Sequence, residues 1–114
     1  GGVMRAWVRT QDALPDDPCL HAAVLAYLTD LLLLSVSTVQ HEVEFLSPNL
    51  QTASIDHAMW FHRSARADEW LLYVLDSPSA QGGRMLAQGS IFNRSGELVA
   101  TVAQEMMFRL PEYR

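Results

Sequence analysis

The sequence predicts an α+β domain in which an antiparallel sheet wraps around one long central apolar helix. Three observations lead there. The segment Pro18 to Ser37 is apolar on almost every side of a helical wheel and holds no Gly or Pro after its first position. A helix with no continuous polar face to turn toward water is expected to be enclosed. From Gln51 onward the periodicity changes from helix to strand and does not change back. The final strand, Glu97 to Leu110, alternates between an apolar row and a mixed row, as a sheet with one buried face does.

The elements follow in order. Val3 to Thr10 alternates Met4, Ala6 and Val8 with Arg5 and Arg9 and is expected as an edge or near-edge strand, although Trp7 interrupts the pattern. The opening Gly1-Gly2 reads as a truncation or cloning scar, with something missing upstream. Asp12 to Pro18 is a loop, and Asp16 or Asp17 before Pro18 makes an N-cap with proline in the first turn. After the helix, Ser35 to Asn49 is expected to connect, with some residual helix. Gln51 to Arg63 alternates Ala53, Ile55, His57, Met59 and Phe61 with Ser54, Asp56, Ala58, Trp60 and His62. Ser64 to Glu69 is a polar turn, Trp70 to Asp76 an apolar strand and Ser77 to Gly83 a loop. Arg84 to Arg94 is a further strand, and Ser95-Gly96 turns the chain into the last one. One apolar helix followed by such a meander fits the hotdog fold.

Composition bounds what this domain does. A chain of 114 residues has room for one core, and nearly half of it is apolar, so it is globular. A net charge of −5 leaves no basic stripe for nucleic acid. All 8 basic residues are arginine, whose planar fork still suits a local phosphate or carboxylate site. The apolar run after Asp30 is too short for a membrane span, and an acid in mid-helix disfavours one. Nor is the segment a signal peptide, because it does not start the chain and lacks a basic leader. The single cysteine, Cys19, allows no internal disulfide and fits a reducing, cytoplasmic setting; it is expected as an apolar filler. No Cys/His cluster has metal-ligand spacing, and no cofactor is expected.

Two residues stand out against their surroundings. Asp30 is a carboxylate among Leu28, Leu31, Leu33 and Leu34, where it loses hydration unless something nearby compensates. It is read as the chemical centre, with capping of a second short helix at Leu31 as the alternative. In the last strand the row Leu98, Ala100, Val102, Gln104, Met106 and Phe108 is apolar except for Gln104, so alternation points this amide at the helix that bears Asp30. A core glutamine satisfying backbone groups is the alternative there.

The run Ser54-Ile55-Asp56-His57-Ala58-Met59-Trp60-Phe61-His62-Arg63, then Ala67-Asp68-Glu69-Trp70-Leu71-Leu72-Tyr73 and Asp76-Ser77-Pro78-Ser79-Ala80, resembles the acyl-CoA thioesterase II family. Gly82-Gly83-Arg84 and Val99-Ala100-Thr101-Val102-Ala103-Gln104-Glu105 extend the resemblance, which covers nearly the whole chain from Leu14. Members carry two hotdog domains in one polypeptide, and this chain is similar to the second. The resemblance implies hydrolysis of acyl-CoA by an aspartate of the hotdog helix, a hydroxyl residue before the Asp-His motif and a glutamine of the last strand. The matching residues are Asp30, Ser54 and Gln104. Leu31 to Leu34 depart from the polar residues usual after the aspartate and make its surroundings drier. The resemblance thus implies a first hotdog domain outside this sequence.

Thioester hydrolysis needs a positioned water, a group that takes its proton and donors for the developing oxyanion. Asp30 is the expected base, with Ser54 and Gln104 holding the water and the carboxylate; His57 and His62 are expected to pack or hydrogen-bond. The phosphates of CoA are expected at Arg84 beside Gly82 and Gly83, with Arg63 and Arg66 as further candidates. Unpaired sheet edges favour pairing with a copy of the chain or with a second hotdog domain. A non-catalytic hotdog that binds acyl-CoA or stabilises a partner is the competing reading. A hotdog hydratase is disfavoured by Gln104 and Ser54 standing where a His and acid pair would be needed.

Overall fold

The computed structural model describes the backbone of residues 3–40 and 51–109, and the side chains of 3–33, 56–77 and 81–107. The elements are β1 (Met4–Val8), α1 (Pro18–Gln40), β2 (Gln51–Phe61), β3 (Leu71–Gln81), β4 (Arg84–Phe92) and β5 (Leu98–Arg109). The strands form one sheet in the order β1-β3-β4-β5-β2, and every neighbouring pair is antiparallel. β1 is therefore an edge strand, as its alternation suggested, and β2 is the other edge. Helix α1 packs on one face of this sheet, most extensively against β3 and β4.

Asp17 starts the helix: its Oδ1 accepts the N–H of Cys19 at 3.0 Å, with Pro18 between them at the position where a missing N–H costs nothing. α1 then runs without a break through Asp30 to Gln40, so no second helix begins at Leu31, and Ser35 to Gln40 is helix rather than connection. The rest of the expected connecting segment, 41–49, lies outside the described residues. Leu25 and Leu33 are buried against the sheet, but Tyr27 and Leu31 are 69% and 45% exposed. With exposed Ala23 they form a stripe at four-residue spacing on the side away from the sheet. The five described strands thus cover one side of α1 and leave the other open. Cys19 is also exposed, so it is not the filler expected of it.

β3 continues to Gln81, through what reads in sequence as a loop. Pro78 has no N–H for a ladder, and the chain accommodates it with a register shift between Asp76 and Ser79. β1 stops pairing at Leu75, and the Ser77 hydroxyl donates to the Leu86 carbonyl at 2.6 Å. The hairpin to β4 turns at Gly82 and Gly83, with φ of 63° and 76°; positive φ at both central residues is the I′ pattern that matches strand twist.

A polar staple fastens the loop after β2 to the segment ahead of α1. His21 is buried; its Nδ1 accepts the N–H of Ala67 at 2.9 Å, so its Nε2 carries the proton donated to the Pro15 carbonyl at 2.8 Å. Asp68 accepts from Leu14 N–H at 2.7 Å and from Arg66 Nε and Nη2 at 2.9 Å each. Arg66 also reaches Asp16 and the Leu14 carbonyl. The Arg66 guanidinium, followed by the Leu14 N–H, holds the Asp68 carboxyl far below the usual carboxylate range.

Replacing His21 by Leu is expected to destabilise the fold by about 1–3 kcal/mol in urea titrations, because the buried Ala67 N–H loses its acceptor. A carboxyl whose folded pKa is depressed stabilises at every pH above its unfolded value of about 4, and the contribution fades as pH falls through the folded value. Asp68→Asn should therefore lower the melting temperature at neutral pH, and its gap from the parent should narrow in scans below pH ~4.

Candidate active site

The turn of α1 that holds the candidate base has two adjacent polar residues, Thr29 and Asp30. Thr29 is 1% exposed, so its hydroxyl needs partners within the fold. Its Oγ1 donates to the Ala26 carbonyl one turn back at 2.9 Å, and its free lone pair faces His57 Nε2 at 3.1 Å. Since the hydroxyl proton is spent on Ala26, His57 is the donor in this pair and carries its proton on Nε2. From β3, the Tyr73 hydroxyl donates to the Thr29 carbonyl at 3.4 Å. Burial pushes the Tyr73 phenol well above its ordinary value, and the nearby Asp30 charge adds to the rise. Asp30 itself is half-buried, between the core and the open side of the helix.

The sheet presents a matching row. Gln104 is 1% exposed and lies in the buried row of Ala100, Val102 and Met106, on the helix-facing side as its alternation indicated. In register it stands between His57 of β2 and Ala87 of β4. One of the strand residues that touch the Asp30 turn, His57, is thus the cross-strand partner of Gln104. Ser54 lies on β2, where the register shifts between Ser54 and Asp56. With unbroken alternation Ser54 would share a face with Asp56; the shift instead pairs Ser54 with Met106, in the buried row. The side chain of Ser54 is outside the described residues.

Two further residues of this centre went unnoticed in the sequence. Thr29 could have been found as a second polar group beside Asp30 in an otherwise apolar run. Tyr73 could have been found through Gly89: a Cβ there would run into the Tyr73 ring, so a strand glycine marks the space the phenol occupies. His57 and His62 both hydrogen-bond, to Thr29 at 3.1 Å and to Thr101 Oγ1 at 2.9 Å.

The three residues expected at CoA lie at the far end of the β3–β4 hairpin. Gly82 and Gly83 make its turn, and Arg84 is exposed with Nη1 3.5 Å from Glu105 Oε1. Arg66 is committed to the staple, and Arg63 Nη1 donates to the Leu98 carbonyl at 2.6 Å. Among the described residues no cluster of His, Cys, Asp and Glu is arranged to hold a metal ion, and no helix is long and apolar enough to cross a membrane.

Helix α1 laid across the described five-stranded antiparallel sheet, with its polar turn meeting β2 and β3, is a hotdog arrangement. A hot-dog-like protein from Thermanaerovibrio acidaminovorans superposes on 98% of the chain with a TM-score of 0.68 at 15% identity, a likeness of fold. The chain belongs to the acyl-CoA thioesterase family, whose model matches residues 1–107. It is similar to the acyl-CoA thioesterase II TesB2 of Mycobacterium marinum, with 53% identity and a TM-score of 0.88 over 100% of this chain and 44% of that one. It is 38% identical to acyl-CoA thioesterase 2 of Haemophilus influenzae, over 94% of this chain and 37% of the relative. The chain thus spans little more than a third of the length of that curated relative.

Gly89→Ala should force the Tyr73 ring out of its place under Thr29, at a cost of about 1–3 kcal/mol for overpacking a buried site. Chemical denaturation measures the loss, and near-ultraviolet circular dichroism reports the displaced tyrosine.

Proposed function

We propose that this chain is the part of an acyl-CoA thioesterase that carries Asp30, Ser54 and Gln104 as its hydrolytic residues, acting beside a second hotdog domain. The observation that carries this reading is the meeting of the Asp30 turn with His57, the register partner of buried Gln104, in a chain of the thioesterase family.

Asp30 takes a proton from a water molecule as the water oxygen adds to the thioester carbonyl carbon. Gln104, and Ser54 on the neighbouring strand, orient that water and donate to the oxyanion. The tetrahedral intermediate then breaks its carbon–sulfur bond, and the proton held by Asp30 passes to the departing CoA sulfur, leaving a fatty acid and free CoA. Water rather than Ser54 is the nucleophile in this scheme, because a serine needs a neighbouring base and His57 Nε2 is engaged with Thr29. The phosphates of CoA lie against Arg84 and the backbone N–H groups of the Gly82-Gly83 turn. The second hotdog, a copy of this chain or a further domain of the same polypeptide, covers the stripe of Ala23, Tyr27 and Leu31, so that α1 becomes the enclosed central helix of the assembled fold. A cytoplasmic setting in fatty acid metabolism accords with the single cysteine.

In the full-length protein, Asp30→Asn and Gln104→Ala should each lower the release of free CoA thiol from medium- or long-chain acyl-CoA by on the order of 10²-fold or more. A folded Asp30→Asn protein with full turnover excludes Asp30 as the base. Calorimetric binding of a non-hydrolysable acyl-CoA analogue, with no turnover of acyl-CoA by the parent protein, would make the chain a binding half instead.

A further inference from the structure

We propose that Asp56 is a positioning residue for the reaction: its carboxylate clamps the β2 bulge that sets Ser54 in register with Met106, in the row of Gln104. The proposal rests on the reading in which Ser54 serves the hydrolytic site.

The geometry comes from the strand register. His57 stands opposite Gln104 and Asp56 opposite Glu105, yet Ser54 stands opposite Met106. Two steps along β2 therefore match a single step along β5, and Ile55 is the extra residue. Side chains alternate faces along a regular strand, so without the bulge Ser54, two places from Asp56, would share the outer face with it. With it, Ser54 joins the row that includes Gln104 and Met106, both 1% exposed. A bulge interrupts the ladder, and a ladder N–H beside it needs another acceptor. Here the acceptor is a side chain: Asp56 Oδ1 takes the N–H of Glu105 at 3.0 Å.

Asp56 is exposed, so its role does not come from filling the core. Its carboxylate stands in for a strand carbonyl and stabilises the bulged register over the regular one, which would set Ser54 opposite Met107 rather than Met106. The same β5 residue, Glu105, points its own carboxylate toward Arg84, which ties the bulge to the base of the β3–β4 hairpin.

The test uses the full-length protein. Asp56→Ala should lower kcat by roughly tenfold or more with KM changed less than about twofold, since the loss is one of placement. Asp56→Asn keeps an acceptor oxygen at the same reach and should hold kcat within about twofold of the parent. Asp56→Glu keeps the charge but shifts the acceptor by one methylene, and should fall with Asp56→Ala; this variant also serves if the alanine protein does not fold. Asp56→Ala combined with Ser54→Ala should be no slower than Ser54→Ala alone, because both act through one hydroxyl. Multiplicative losses, or an Asp56→Glu protein with parental kcat, overturn the proposal. Hydrogen exchange at the Glu105 amide reads the clamp without activity: it should quicken in Asp56→Glu and stay slow in Asp56→Asn, and an unchanged rate in Asp56→Glu overturns the proposal. If Ser54→Ala alone leaves kcat intact while the Glu105 amide responds as stated, the serine's part in hydrolysis fails and the clamp stands.

Discussion

A hydroxyl buried on an apolar helix can turn its proton back on the helix but has to find a donor across the helix–sheet boundary, and Thr29 is the place where this happens. Its own proton goes back to Ala26, its lone pair takes the His57 Nε2–H, and its carbonyl takes the Tyr73 phenol. Dispersion and apolar burial hold α1 on the sheet without setting its rotation or its height, because Leu and Ala contacts have little direction. These polar contacts to β2 and β3 are directional. They set the register of the helix at the turn that presents Asp30, one residue on.

The sheet side of the same region depends on irregularity. Register shifts occur in β2 between Ser54 and Asp56 and in β3 between Asp76 and Ser79, at either side of the strands that carry Gln104 and Ala87. Each is held by a side chain bonding to a neighbouring strand's backbone, Asp56 to the Glu105 N–H and Ser77 to the Leu86 carbonyl. A regular five-stranded sheet of this sequence would present different faces to the helix at these points. Away from the site, the staple of His21, Arg66 and Asp68 fastens the start of α1 to the loop that follows β2, so both ends of the path from Thr10 to Pro18 are anchored.

Much of this was legible without coordinates, since it depends on patterns that local sequence carries. The parity of β5 identified the buried side of Gln104, because the five other residues of its row are apolar. The Asp-Pro pair located the start of α1, and the resemblance quoted from Ser54 to Arg63 pointed to a family that the comparisons bear out. The same parity reasoning assumed a regular register from Ser54 to Asp56 and missed the shift between them, because one inserted residue leaves no periodic trace. Pro78 reads as a loop signal, and only the neighbouring strands reveal that β3 continues through it. The apolar wheel of α1 implied a fully enclosed helix; five strands reach only one side, and Tyr27 and Leu31 remain open.

Alone, the amino-acid order determined the class of fold, the apolar helix α1, the place of β1 at or near a sheet edge and the isolation of Asp30 and Gln104 among apolar neighbours. These follow from hydrophobic period and turn chemistry, which act over a few residues. Only the tertiary structure decided that His57 hydrogen-bonds Thr29, that Tyr73 sits beneath the same turn in space left by Gly89, and that Asp56 supports a bulge. Each of those depends on groups brought together from strands and a helix distant in the chain, and their distances and directions are set by packing and cross-strand register.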